Sequence, residues 1–150
     1  MPEKKTLERA REDKREGKAP STQAGEFVKE EIEHVREGKH GARSTKQAIA
    51  IGLSKARRAG VKLPPPKEGQ ASARTRRQAA RDNAKGANAS GRAPSRTRSR
   101  GVMSALKHEG REAASPAALS RQARASAQRR GATSRSKAAK QAARTRARSR

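Results

Sequence analysis

Cysteine, tryptophan and tyrosine are missing from this chain of 150 residues, and phenylalanine occurs once, at position 27. Without cysteine there are no disulfides to brace a thin core and no thiolates to hold a metal. Without aromatic rings in its second half the chain offers no platform for unstacked bases, which argues against single-strand recognition. Large aliphatic residues are scarce too: Ile, Val, Leu and Phe together number 13, well below ordinary globular usage. No run approaches the roughly 20 apolar residues that span a bilayer. The opening MPEKKTLERAREDKREGK contains no apolar segment resembling a secretion signal. The expectation is a soluble, cytoplasmic chain with one small folded module and no contact with membranes.

Acidic residues are the last shortage, and an uneven one. Residues 67–150 carry 23 Lys/Arg against four Asp/Glu, with only Val102, Met103, Leu106 and Leu119 as large apolar side chains. The formal charge of the whole chain is +25. A segment this basic and this poor in apolar surface is not expected to offset the entropy of its own ordering. It should stay open or fold onto a polyanion, with nucleic acid the expected one.

What apolar material exists is clustered. Nine of the 13 residues lie between Phe27 and Leu63, in a region that reads as two helices. Ser21 or Thr22 is placed to cap the first, which runs through GEFVKEEIEHVRE to Gly38; Ser44 with Gln47 forms a capping box for the second, which Gly60 ends. At about 100° per residue, Ala24, Val28, Ile32 and Val35 share one face of the first helix, with Phe27 at its margin. Ala48, Ile49, Gly52, Leu53, Ala56 and Ala59 share one face of the second, and the small residues among them permit close approach. The glycines at 38 and 41 let the pair fold back as an αα-hairpin, closed by Val61 and Leu63 before Pro64, Pro65 and Pro66.

Opposite its apolar stripe the first helix bears Glu26, Glu30, Glu33 and Glu37, and the second bears Lys46, Lys55, Arg57 and Arg58. If the hairpin touches nucleic acid, the second helix should face it. Ile51 lies on this basic side.

A weaker copy of the layout follows. Glu37-Gly38-Lys39 is matched by Glu109-Gly110-Arg111, Ser44 by Ser115, Ala56 by Ala127, Arg58 by Arg129 and Gly60 by Gly131. In the copy Pro116 takes the first helical position, and Leu119 is its only large apolar residue. These signals describe a helix without a core, of the kind that forms on a charged surface. The organisation read from the sequence is therefore a charged arm with helical potential over 1–20, a helical hairpin over 21–63, and a basic linker over 64–100 with a short helix near 72–85. A degenerate helical module over 101–131 and a basic disordered tail over 132–150 complete it. The fold class is mainly α: a small hairpin, about residues 22–63, followed by an extended, Arg/Ala/Ser-rich, partly disordered half containing short conditional helices.

Catalysis finds little support. His34, His40 and His108 lack cysteine partners and an acidic cluster at metal-ligand spacing, and read as surface residues. There is no phosphate-cradling glycine loop and no nucleophile elbow. The carboxylates of the first helix read as an open face without a cleft. No enzyme, cofactor or metal is expected.

The stretch HVREGKHGARSTKQAIAIGLSKARRAGVKLPPP, residues 34–66, resembles a signature of an uncharacterised family of small basic bacterial proteins, in which S-x-K-Q-A-I-A-I-G-L-S-x-A-R-R-A-G is typical and an Arg/Lys/Ala-rich tail often follows. ALKHEGREAASPAALSRQARASAQRRG, residues 105–131, is similar to a segment of longer members. The resemblance implies a bacterial source and a cytoplasmic location, and it brings no activity with it.

Charge and architecture together give the expected function: sequence-nonspecific, histone-like binding of nucleic acid through phosphates, with duplex DNA favoured over RNA and the nucleoid as its place in the cell. Lys46, Lys55, Arg57 and Arg58 would position the hairpin. Arg74, Arg76, Arg77 and Arg81, then Arg121, Arg124, Arg129 and Arg130, would add two patches. Arg96, Arg98, Arg100, Arg144, Arg146, Arg148 and Arg150 would form flexible arms. Arginine dominates this half, and its planar fork of donors grips phosphate in two places. The alternatives are a protein–protein adaptor or stress-response protein using Phe27, Ile32 and Ile51 of the hairpin, a homodimer through the same module, or a binder of structured or ribosomal RNA.

Overall fold

Terminal groups of the helices dictate where each begins and ends. In the computed structural model, which describes residues 1–88 and 95–148, α1 spans Lys4–Arg15, α2 Pro20–Arg36, α3 Thr45–Arg58, α4 Ala73–Ala87, α5 Arg96–Lys107 and α6 Pro116–Arg148, with a 3-10 turn at Glu112–Ala114. The Ser44 hydroxyl accepts from the Gln47 N–H, and the Gln47 side chain accepts in turn from the Arg43 N–H. That reciprocal pair fixes the start of α3. The start of α2 differs from the sequence expectation. Pro20 occupies its first turn, where the missing N–H costs nothing, and Thr22 and Gln23 donate to the Ala19 carbonyl, so neither Ser21 nor Thr22 caps it.

The α2–α3 hairpin forms the centre. Its two helices approach so closely that a Cβ added at Gly52 would stand 2.7 Å from Val28 Cα. Ala24, Ala48 and Ala56 are fully enclosed along the seam. Phe27 leaves the margin assigned to it and is buried in a cluster with Ala10, Ala24, Ala56 and Val61, flanked by Leu7, Leu53 and Leu63. The partner that covers it is α1, whose Thr6, Ala10 and Asp13 face inward.

The C-terminal half is a correction to the sequence reading. It is neither extended nor disordered among the described residues: α4, α5 and α6 account for most of it, and α6 alone continues to Arg148. Two physical reasons explain the difference. Ala, Arg, Gln and Lys are strong helix formers, so little tertiary support is needed to hold these segments. The support that exists comes from small and polar groups instead of large apolar ones. Ala113 and Ala114 insert into a second core cluster with Ile32, Val35, Ala42 and Ala48, against which Val28 and Leu119 pack. Thr45 Oγ1 donates to the Ala113 carbonyl at 2.7 Å and Arg36 Nε to the Ala114 carbonyl at 2.9 Å. The backbone N–H groups of Gly41 and Ala42 donate to the carbonyls of Leu106 and Gly110, an approach so tight that any Cβ at Gly41 would overlap the Glu109 carbonyl.

On the other side α4 docks through Asp82. This buried carboxylate accepts from Ser54 Oγ, Arg58 Nε and Gln78 Nε2 at 2.7, 2.8 and 3.0 Å. Asn83 donates to the Leu63 carbonyl, and Gly86, through which α4 runs on to Ala87, lies against the Arg57 carbonyl. Gly131, at φ 69° and ψ 165°, breaks α6 into two helical arms. The outer arm brings Ala138, Gln141, Ala142 and Thr145 beside Lys18, Ser21 and Thr22 across a cleft of about 310 Å³. Ser115 caps α6 by accepting from the Ala118 N–H as Ser44 caps α3, and Gly60 and Gly131 both adopt positive φ. Among the described residues no helix is long and apolar enough to cross a membrane.

Candidate nucleic-acid interface

The four cations on α3 have different fates. Lys46 is exposed in the first turn. Lys55 turns toward α2, where its ammonium lies 2.6 Å from Glu31 Oε2 and 3.2 Å from Glu30 Oε1. Arg57 is 7% exposed and donates to the carbonyls of Leu63 and Pro64; burial pushes its pKa down, while the Asp82 charge acts the other way. It holds the strap that closes the hairpin, so reversing its charge would disrupt folding. Arg58 is half-exposed and joined to Asp82. The face that the sequence assigns to phosphate is thus partly committed to internal contacts.

The carboxylates opposite are not an open face either. Glu30 and Glu31 are 3% and 1% exposed. Buried charges persist only when paired and hydrogen-bonded. Glu30 accepts from the Glu3 backbone N–H at 3.0 Å and from Lys55. Burial raises its pKa, but the Thr6 hydroxyl, the Glu3 N–H and Lys55 together outweigh that and hold the carboxyl below its ordinary range. Glu31 contacts His40, which is buried and not at the surface as its sequence context suggests. His34 Nε2 lies 2.9 Å from Glu3 Oε1 at the rim. The interaction holds the exposed Glu3 carboxyl below its ordinary pKa, with Lys39 adding to it.

Apart from Lys46 and the half-exposed Arg58, the exposed cations that the sequence assigns to phosphate lie outside the hairpin. Arg74, Arg77 and Arg81 are exposed on α4, whereas Arg76 is half-buried and 3.6 Å from Glu68. Arg96, Arg98 and Arg100 are exposed on α5. Arg121, Arg124, Arg129 and Arg130 lie on the inner arm of α6, and Arg144, Arg146 and Arg148 on the outer arm. Arg150 lies outside the described residues. The structure adds Arg135, Lys137 and Lys140 to the same helix, all exposed; their even dispersion hid them, because only helical order distinguishes a surface from a tail. α6 contains ten Lys/Arg and no Asp or Glu.

Residues 11–67 match a family of unknown function, DUF6496. The match covers the end of α1, the whole hairpin and the strap through Pro66, and it includes the STKQAIAIGLSKARRAG signature at 44–60. The basic helices α4 to α6 fall outside it. No curated protein and no solved structure gives a match. The matched segment therefore includes the α2–α3 centre with its internal ion pairs, and the basic helices α4 to α6 follow it in the chain.

Proposed function

We propose that this protein binds nucleic acid through phosphate contacts without reading sequence, with duplex DNA as the favoured ligand. The observation that carries the reading is α6. Its two arms carry ten Lys/Arg and not one Asp or Glu. Such a helix repels itself in water and gains most from a surface of regularly spaced negative charge. Presenting these charges on helices reduces the ordering cost that a flexible tail incurs on binding. The absence of Trp and Tyr and the burial of the single Phe favour duplex backbone over unstacked bases. Phe27 and Ile32, on which a protein-adaptor role would rely, are buried and leave Ile51 alone partly accessible.

The test is the salt dependence of binding to a short duplex. Replacing Arg121, Arg124, Arg129 and Arg130 by Gln keeps helix propensity high while removing four charges. Each phosphate contact contributes about 0.9 to the log–log slope, so the slope should fall by about 3 to 4 if all four engage. Affinity that does not change between roughly 50 and 200 mM salt, or a slope equal in the variant and the natural protein, would overturn the reading.

A further inference from the structure

The hydrogen bonds of His40 do not balance for a neutral ring. Its Nδ1 is 3.0 Å from the Gly41 carbonyl oxygen, and its Nε2 is 3.1 Å from Glu31 Oε1. Both partners are acceptors only. A neutral imidazole has one N–H to donate, so the second contact requires a further proton, on the ring or on the Glu31 carboxyl, or a cation in its place. The carbonyl at Nδ1 fixes the N–H there and leaves the Nε2 lone pair toward Glu31, as in metal-bound histidines whose far nitrogen donates to a backbone carbonyl. A second imidazole stands beside the first: His34 and His40 meet edge to face with centroids 6.1 Å apart. One ligating atom each from Glu31, His34 and His40 fall within 4.8 Å of one another.

We infer that Glu31, His34 and His40 form a binding site for a divalent transition metal, with zinc the best fit. Two imidazoles and one carboxylate are a donor set suited to zinc. Ligands held at ~2.1 Å in a tetrahedron are ~3.4 Å apart, so the widest pair in this cluster has to close by a little over an ångström. His34 sits at the rim, where its Nε2 contacts the exposed Glu3 carboxylate, and it would give up that partner to make the movement. Glu31 has one oxygen engaged by Lys55 and the other, Oε1, directed at His40, so ion pairing and metal ligation use different atoms. Approach is from the groove between α1 and α2, a space of about 210 Å³ that His34 lines together with five glutamates and with Lys5, Arg9, Lys29 and Lys39. Five carboxylates against four Lys/Arg leave this groove slightly acidic in a chain of net charge +25. The metal would tie the end of α2 to the loop that leads into α3, inside the family segment and apart from the basic helices.

The experiment uses the full-length protein without a histidine tag. Calorimetric titration with Zn²⁺ should show one site per chain, and Co²⁺ should give visible d–d absorption of a four-coordinate centre with nitrogen ligands. His34→Ala, at the rim, should weaken Zn²⁺ at least about tenfold, since even an outer partner of a metal ligand is worth ~10–100-fold. His108→Ala, on exposed His108 whose Nδ1 lies 2.7 Å from the Ser104 carbonyl oxygen, should leave the affinity unchanged. Independently of any variant, imidazole ¹⁵N resonances of His34 and His40, and not those of His108, should move on addition of Zn²⁺. Failure to bind Zn²⁺, or binding weakened equally by the two alanine variants, would overturn the proposal and leave Glu31 and His40 as a buried ion pair only.

Discussion

Asp82→Ala tests whether a buried polar contact, and not apolar surface, holds α4 to the hairpin. Asp82 is 1% exposed and gathers Ser54, Arg58 and Gln78 around one carboxylate. A hydrogen bond to a charged group contributes ~1.5–3 kcal/mol when buried, and the Ser54 contact at 2.7 Å is the best enclosed of the three. Arg58 is 50% exposed, so its share must be discounted for solvent screening, and Gln78 is exposed enough to rehydrate. Counting the Ser54 bond in full and the other two at about 0.5 kcal/mol each gives a loss of about 3 kcal/mol. That energy corresponds to a factor of about 100 in an equilibrium constant. Hydrogen exchange with mass spectrometry should therefore show residues 73–87 exchanging about 100-fold faster while α2 and α3 keep their protection, since α4 can open without the centre unfolding. Asp82→Asn retains an acceptor for Ser54 and should lose about half as much. If α4 amides in the unaltered protein exchange as fast as free peptide, or if Asp82→Ala leaves their protection unchanged, the reasoning fails.

Two helix-interior glycines should respond to alanine with opposite signs. Gly25 has open space around the added methyl, so Gly25→Ala should raise stability by about 1 kcal/mol in urea denaturation through helix propensity alone. Gly52→Ala gains the same propensity but drives its methyl onto the Val28 backbone, and an overpacking cost of ~1–3 kcal/mol or more should win. Glu30, whose folded-state pKa lies below its ordinary value of 4.5, contributes stability that is fully present above that value and is lost as pH falls through the lower folded value. Urea midpoints measured from pH 7 downward should thus decline more steeply below pH 4.5 in the natural protein than in Glu30→Gln.

Sequence alone determined the hairpin and the charge asymmetry. The 3.6-residue recurrence from Ala24 to Val35, the Ser44–Gln47 box and the small residues at 48, 52 and 56 specify α2 and α3 locally, because caps and periodicity act over a few residues. The basic character of residues 67–150 is composition and needs no fold to be read. Tertiary structure alone decided which charges are available. Glu30, Glu31, Lys55 and Arg57 look like solvated residues along the chain, yet they become internal once α1, the 61–64 strap and the loop at 38–43 close over them. It also decided how the described residues of the C-terminal half pack on the hairpin. Asp82 meeting Ser54 and Ala113 meeting Thr45 are contacts between residues 28 and 68 positions apart, made by small or polar groups that leave no hydrophobic period in the sequence. Propensity and periodicity are local, whereas the worth of a buried carboxylate or a glycine seam depends on what the rest of the chain brings to it.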